Sequence, residues 1–343
     1  MNHRPRAALA DSPTFAPRLA VEYADPGTLD AALAQPDTLA VFAFGDAAPH
    51  RADPRWLRVP LSPLGTPMLE IWRAAGPVTH GITDGIAHAE DDALQFGALQ
   101  LQGNDAADML AASERAYAQA AAFRQRSGHP RLLRIWNYFD RITEGEGDDE
   151  RYRQFCVGRV RGLGAVDATA LPAATAIGTR GGTHVLQVYW LAARQPGTPL
   201  ENPRQTSAWR YPRQYGPQSP SFARALLPPS PAVPLLVSGT ASIVGHASRH
   251  AGSLDAQMDE TLANLDHLLA AARERQPCLP PQWDASTRLK AYLPDPAHAA
   301  RVQTRLRERL GRDVPLLLLH GDVCRRELQV EIEAMHGVLP AAS

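Results

Sequence analysis

One pattern occurs twice in this chain, at a constant offset of 142 residues. The first copy reads Phe96-Gly97-Ala98-Leu99-Gln100-Leu101-Gln102-Gly103 and, later, Gly181-Gly182-Thr183-His184-Val185-Leu186-Gln187-Val188-Tyr189-Trp190. The second reads Ser238-Gly239-Thr240-Ala241-Ser242-Ile243-Val244-Gly245 and, later, Asp322 to Glu333. Gly97 falls on Gly239, Gly103 on Gly245, and Leu186-Gln187-Val188 on Leu328-Gln329-Val330. A chain that repeats both segments and their separation is built to fold the same unit twice. The copies differ where it matters for chemistry. Tyr189 falls on Glu331, so only the second copy keeps a carboxyl group there.

The 343 residues suit two domains of ordinary size, and a hydrophobic content of 44% is enough for real cores. A net charge of −1 carries no sign of a nucleic-acid partner or an anionic membrane. No apolar run reaches the length of a membrane span, and Met1 to Ala10 lacks the apolar stretch of a signal peptide. Three cysteines, Cys156, Cys278 and Cys324, make no disulfide framework, which fits a cytoplasmic protein. The chain has one lysine, Lys290. It lies in the alternating run Arg288 to Leu293, which predicts a strand with the lysine turned to solvent. No Gly-x-x-x-x-Gly-Lys loop is possible, and no Gly-x-Gly-x-x-Gly follows a strand, so nucleotide-binding motifs are missing.

Residues 1 to about 60 are proline-rich and weakly periodic, with one strand candidate at Leu39 to Phe44. The first copy predicts strands at Phe96–Leu101, Leu132–Tyr138, Thr175–Ile177 and His184–Trp190. Helices are predicted from Asn104 or Asp105 through Ala122 and over Glu150–Val160. The second predicts a strand pair or hairpin over Leu235–Val244, a helix over Leu254–Ala272, and a strand at Leu289–Leu293. A helix from Asp295 to Leu310 and strands at Val314–Leu319 and Leu328–Ile332 follow. Each copy is thus an α+β unit, a mixed sheet with helices on one face. The division is 1–195 and 196–343, the second unit including the 196–230 connection. Trp209, Tyr211, Tyr215 and Phe222 make that connection too aromatic for a disordered linker.

Glu331 is the leading candidate for chemistry. Alternation puts it with Gln329 and Glu333 on one face of the last strand. An acid in an enclosed position has a raised pKa and can donate a proton near neutral pH. Cys324 lies seven residues earlier, beside Arg325 and Arg326, whose charge favours a thiolate; the competing reading is a small buried hydrophobe. Arg213 and Arg224 offer guanidinium groups to an anion, and Tyr211 and Tyr215 directed hydroxyls. Gly239, Thr240 and Ala241 leave backbone amides open to a close ligand. His246 and His250 have no supporting acid for a metal site.

The second half resembles the RidA/YjgF imine deaminase fold, through Ser238-Gly239, Gly245, the helix Asp259 to Leu265 and Val330 to Ala334. The carboxylate-binding arginine of that family falls on Leu316, which speaks against imine deamination. From about residue 35 to 337 the chain more closely resembles the chorismatases. The residues that carry this are Trp136-Asn137-Tyr138, the segment Tyr211 to Arg224, Ser238 to Ser242, and Cys324 to Glu331. Within that family the likeness is to the hydroxybenzoate-forming branch known from the xanthomonad pigment pathway.

The resemblance implies two tandem RidA-like domains, the first degenerate, and cofactor-free cleavage of chorismate to pyruvate and 3-hydroxybenzoate, with 4-hydroxybenzoate left open as an additional product. Glu331 is then the acid that protonates the enolpyruvyl methylene. Cys324 marks the aromatic-forming branch. Tyr211, Arg213, Tyr215, Arg224, Gly239, Thr240 and Ala241 are the substrate-binding candidates. No metal, nucleic acid or membrane is implied; a homo-oligomer, by fold analogy a trimer, is. The competing readings are a chorismate hydrolase giving a dihydrodiol, a mutase-like isomerase, and a non-catalytic binder of aromatic or keto acids.

Overall fold

A computed structural model describes residues 18–164, 167–181 and 184–340. Met1 to Ala10, and Gly182 and Thr183 of the first copy, lie outside the described residues. The described residues form three mixed sheets and a two-stranded ribbon. The first comes largely from the weakly periodic N-terminal stretch: β1 (Leu19–Ala24), β2 (Thr38–Phe44), β3 (Trp56–Val59) and β4 (Leu69–Ala74), in the order β1-β4-β2-β3. The second holds β5 (Thr79–Thr83), β6 (Ile86–Glu90), β7 (Leu94–Gln102), β8 (Arg131–Asp140), β9 (Ala173–Thr179) and β10 (Val185–Ala193), in the order β5-β6-β7-β10-β8-β9. The third holds β11 (Thr198–Leu200), β12 (Ala225–Leu227) and β13 (Leu235–Ala241). Past the ribbon of β14 (Ile243–Val244) and β15 (Ala247–Ser248), it adds β16 (Arg288–Leu293), β17 (Leu316–His320) and β18 (Glu331–His336). Its order is β11-β12-β13-β18-β16-β17.

The repeat is now visible as topology. β7 and β10 of the second sheet take the places of β13 and β18 in the third, and each sheet ends in a parallel pair, β8 with β9 and β16 with β17. The first sheet has the same four-strand order, with β2 parallel to β3. Helices cover one face of each sheet: α1 (Leu29–Ala34) the first, α2 (Met109–Ser127) and α3 (Arg151–Leu163) the second, α4 (Leu254–Arg275) and α5 (Ala299–Leu310) the third. The three opposite faces share one core, to which Phe42 and Trp72, Trp136 and Tyr189, and Leu236 and Tyr292 contribute. The α+β class and the two larger repeated sheets are those expected from the sequence; the first sheet, with the same strand order, is not. No helix among the described residues is long and apolar enough to cross a membrane.

Several local expectations change. Asn104 and Asp105 sit in a short 3-10 turn, and α2 starts later, capped by Asp108, whose Oδ1 accepts from the Ala111 N–H. The last strand starts at Glu331 rather than Leu328. Leu235–Val244 holds two strands that do not pair as a hairpin, since β13 ends at Ala241 and pairs with β18 while β14 pairs with β15. The connection 196–230 is ordered around β11, β12 and two 3-10 turns. Lys290 is not turned to solvent. It is 3% exposed, with Nζ 2.9 Å from Glu70 Oε2 and 3.2 Å from Glu333 Oε1. The polar side of β16 meets another sheet instead of water.

Candidate active site

The sheet junctions place the candidate residues. β9, at the edge of the second sheet, packs beside β13 of the third, tied by Ala174 N–H to Ser238 Oγ at 2.9 Å and Gly239 N–H to Thr175 Oγ1 at 3.0 Å. Between them opens a cavity of about 400 Å³, within the range of small-molecule sites. α3, the segment Tyr211 to Arg224, and the turn Cys324 to Glu327 complete its walls.

Glu331 opens β18 at the cavity wall and is 6% exposed. Burial, then the negative charge of Glu333, push its carboxyl up to about 8, against the pull of Arg134 and Arg224. At neutral pH it is a carboxylic acid with a proton to give. Its position depends on a β-bulge. Pairing between β13 and β18 shifts between Val237 and Thr240, so that Ala241, not Thr240, lies opposite Glu331. The bulge sets Gly239 against the acid, where a β-carbon would overlap Glu331 Oε1.

Arg224 is 4% exposed and lines the cavity. One nitrogen, Nη2, donates to Tyr211 Oη at 2.7 Å and to the Thr206 carbonyl at 2.9 Å, while Nε has no partner. Tyr215 lines the same wall, its hydroxyl 3.2 Å from His246 Nδ1 and its ring beneath the Arg325 guanidinium at 4.1 Å. Cys324 also lines the cavity. Its thiol is held well above the usual range by burial and then by Glu331, which outweigh Arg325. The neighbouring arginines therefore do not yield a thiolate.

The structure thus brings Glu331, Cys324, Tyr211, Tyr215, Arg224, Gly239 and Ala241 to one cavity. Arg213 is elsewhere. It lies exposed at the surface with Nη1 2.9 Å from Asp148 Oδ1. Thr240 turns its hydroxyl back on the Ser238 carbonyl, 2.9 Å away, and is not among the lining residues.

Three further residues were not singled out from sequence. Arg159 on α3 is 3% exposed, lines the cavity, and has no hydrogen-bond partner on Nε or Nη2. Its signal was spacing: it is four residues after buried Phe155, hence on the same helix face. Thr175 lines the cavity on β9, and Ser221 adds a buried hydroxyl without a partner. Two buried guanidinium groups with unspent donors are costly unless an anion meets them. The cavity is therefore built for a ligand with anionic groups, next to a proton donor.

Comparison with known proteins fits this arrangement. Residues 70–192 match the family model described as chorismatase FkbO/Hyg5-like, N-terminal. A chorismatase of Streptomyces rapamycinicus is 34% identical over 275 residues, covering 78% of this chain and 81% of the relative. A 3-hydroxybenzoate synthase of Streptomyces hygroscopicus is 32% identical over 286 residues, covering 80% of this chain and 83% of the relative. A chorismatase crystal structure superposes with a TM-score of 0.83 at 30% identity, over 94% of this chain and 99% of that one.

Proposed function

The chain belongs to the chorismatase family, and on that footing we propose that it cleaves chorismate to pyruvate and 3-hydroxybenzoate. The observation that carries the reading is Glu331: a buried carboxyl, pushed up to about 8 by burial and Glu333, at the wall of a cavity that also holds two incompletely satisfied arginines. Chorismate brings two carboxylates, and Arg159 and Arg224 are the groups to receive them.

In this mechanism Glu331 delivers its proton to the terminal methylene carbon of the enolpyruvyl ether. Positive charge develops on the ether carbon and its oxygen. The neighbouring ring hydroxyl then attacks the ring carbon that carries the ether. That carbon–oxygen bond breaks and its electrons leave with pyruvate as the keto oxygen. The hydroxyl proton is released, and Glu331, now a carboxylate, is reprotonated for the next turnover. The resulting epoxide opens, and loss of the ring proton gives the aromatic acid. Substrate and products contain the same atoms, so no water or redox equivalent is consumed. Carbon protonation is slow, and an acid kept protonated by desolvation is suited to it. Cys324, a neutral thiol beside the acid, offers a weak S–H donor and an apolar surface that keeps water from the cation. This supports the aromatic product over the dihydrodiol.

The test is to incubate the purified protein with chorismate, follow pyruvate with a coupled reductase, and resolve the ring product by chromatography. Equal amounts of pyruvate and 3-hydroxybenzoate are expected; prephenate, or binding without turnover, would sink the reading. Glu331→Gln should lower turnover by about 10²–10⁴-fold while leaving the fold intact. The acid must be protonated to act, so turnover should hold below pH about 8 and fall above it. A rate that rises through that range would remove Glu331 from the acid role.

A further inference from the structure

Below the cavity lies a charged cluster that touches no part of its open space. Glu333, two residues beyond Glu331 on β18, is 4% exposed. Its carboxylate accepts from Arg134 Nη2 at 2.8 Å, Trp136 Nε1 at 2.7 Å and Thr175 Oγ1 at 2.6 Å. Lys290, the one lysine of the chain, stands between it and Glu70. The other oxygen of Glu70 accepts from Trp72 Nε1 at 2.8 Å. Glu70 and Trp72 belong to β4 of the first sheet, which supplies none of the lining residues among those described.

Two carboxylates and two cations make this cluster neutral. A third carboxyl, Glu331, adjoins it and makes no ion pair among the described residues; the pull of Arg134 and Arg224 is outweighed by burial and by Glu333. Of the other titratable groups around Glu331, Arg224 turns Nη2 to Tyr211 and the Thr206 carbonyl and forms no ion pair with the acid. Cys324 and Tyr152 are neutral, both raised by burial. We propose that Glu333 is a positioning residue for the acid: as an ionised carboxylate it takes the buried cations for itself, and so leaves Glu331 carrying a proton. The proposal rests on the reading of Glu331 as the proton donor. Glu333 acts through geometry as well. Thr175 Oγ1, which donates to Glu333, also accepts the Gly239 N–H at 3.0 Å, so the same carboxylate anchors the bulged strand against the acid. Burial opposes the ionisation of Glu333, yet Lys290 and Arg134 hold its carboxyl below the ordinary value.

The experiment is a pH titration by infrared difference spectroscopy, with Glu331→Gln as the baseline that identifies the protonated carboxyl stretch of Glu331. In the unmodified protein the band should be present at neutral pH and disappear near pH 8. In Glu333→Gln it should disappear lower by on the order of one pH unit, and the high-pH limb of pyruvate release should move with it. A merely structural role would lower turnover without moving either. A band that titrates at the same pH in folded Glu333→Gln, or is missing at neutral pH in the unmodified protein, overturns the proposal. Should Glu333→Gln not fold, Arg134→Gln reads the opposite sign: removing a cation should move the band to higher pH, and a stationary band overturns the proposal. If the band behaves as expected but no pyruvate is formed, the protonation scheme stands and the catalytic reading falls.

Discussion

In the second sheet Gly97 lies opposite Trp190 on the paired strand, and a β-carbon on Gly97 would overlap the indole ring. In the third sheet its counterpart Gly239 faces the carboxyl of Glu331. The same glycine makes room for a packing side chain in one copy and for the acid in the other. The first copy keeps even register, so Ala98 pairs with Tyr189, whose ring stacks on Trp136 at 4.8 Å inside the shared aromatic core. The second inserts the bulge between Val237 and Thr240 and slips the pairing by one residue. A slip of one residue turns a side chain to the other face of a sheet. The bulge is the device that exchanges a core glycine for an active-site glycine.

Substituting both glycines breaks the comparison most directly. Gly239→Ala should push the acid away from the bound enolpyruvyl group and cut kcat by about 100-fold, the scale of loss when a reacting group is misplaced by about 1 Å. Gly97→Ala should instead overpack the helix-covered core and cost about 1–3 kcal/mol in denaturant unfolding, with kcat per folded molecule retained. Equal losses of kcat in both would show that the two positions do not have separate roles.

The cavity arginines give a second, smaller contrast. Arg159→Met and Arg224→Met each remove a buried donor set, and each should raise KM for chorismate by about 10–100-fold, the range for hydrogen bonds to charged groups. Arg213 belongs to the same loop motif as Arg224, but its charge is spent on Asp148 at the surface. Arg213→Met should therefore change KM by less than about twofold. A large effect at Arg213 would mean that the loop closes over substrate in a way that brings this side chain inward.

These residues also mark how far the sequence could be read. The repeat, the helices on one face and the acid on the last strand all follow from local pattern, because period and glycine position survive without tertiary information. Glu331 was legible because its counterpart is an aromatic residue. Lys290 was not, since β16 reads as a half-polar strand and nothing local reveals that its polar side meets Glu70, 220 residues earlier. Of the first sheet only β2 was legible, for a related reason: its other strands are proline-flanked and packed on a core shared with the two larger sheets. Arg213 and Arg224 were indistinguishable by type. Burial separates them, and burial is set by the fold.

The sharpest expected change in product, with little change in rate, comes from the two cavity cysteines. Cys156 on α3 and Cys324 before β18 both line the cavity, and burial raises both thiols, that of Cys156 to about 12. Both are therefore neutral at working pH, so neither acts as a nucleophile. Glu331 bears on the titration of Cys324 but is not among the groups that shift Cys156. Cys324→Ala should consequently alter what happens after protonation rather than protonation itself. It opens space for a water beside the cation and removes an S–H donor, so part of the product should change from 3-hydroxybenzoate to a dihydrodiol, while pyruvate release stays within about tenfold. Cys156→Ala should leave the product ratio unchanged and cost only the packing of a small buried side chain. The readout is the ring product at equal pyruvate, compared between the two variants. An unchanged ratio in Cys324→Ala would place the choice of product in the protonation geometry set by the bulge, and not in the thiol.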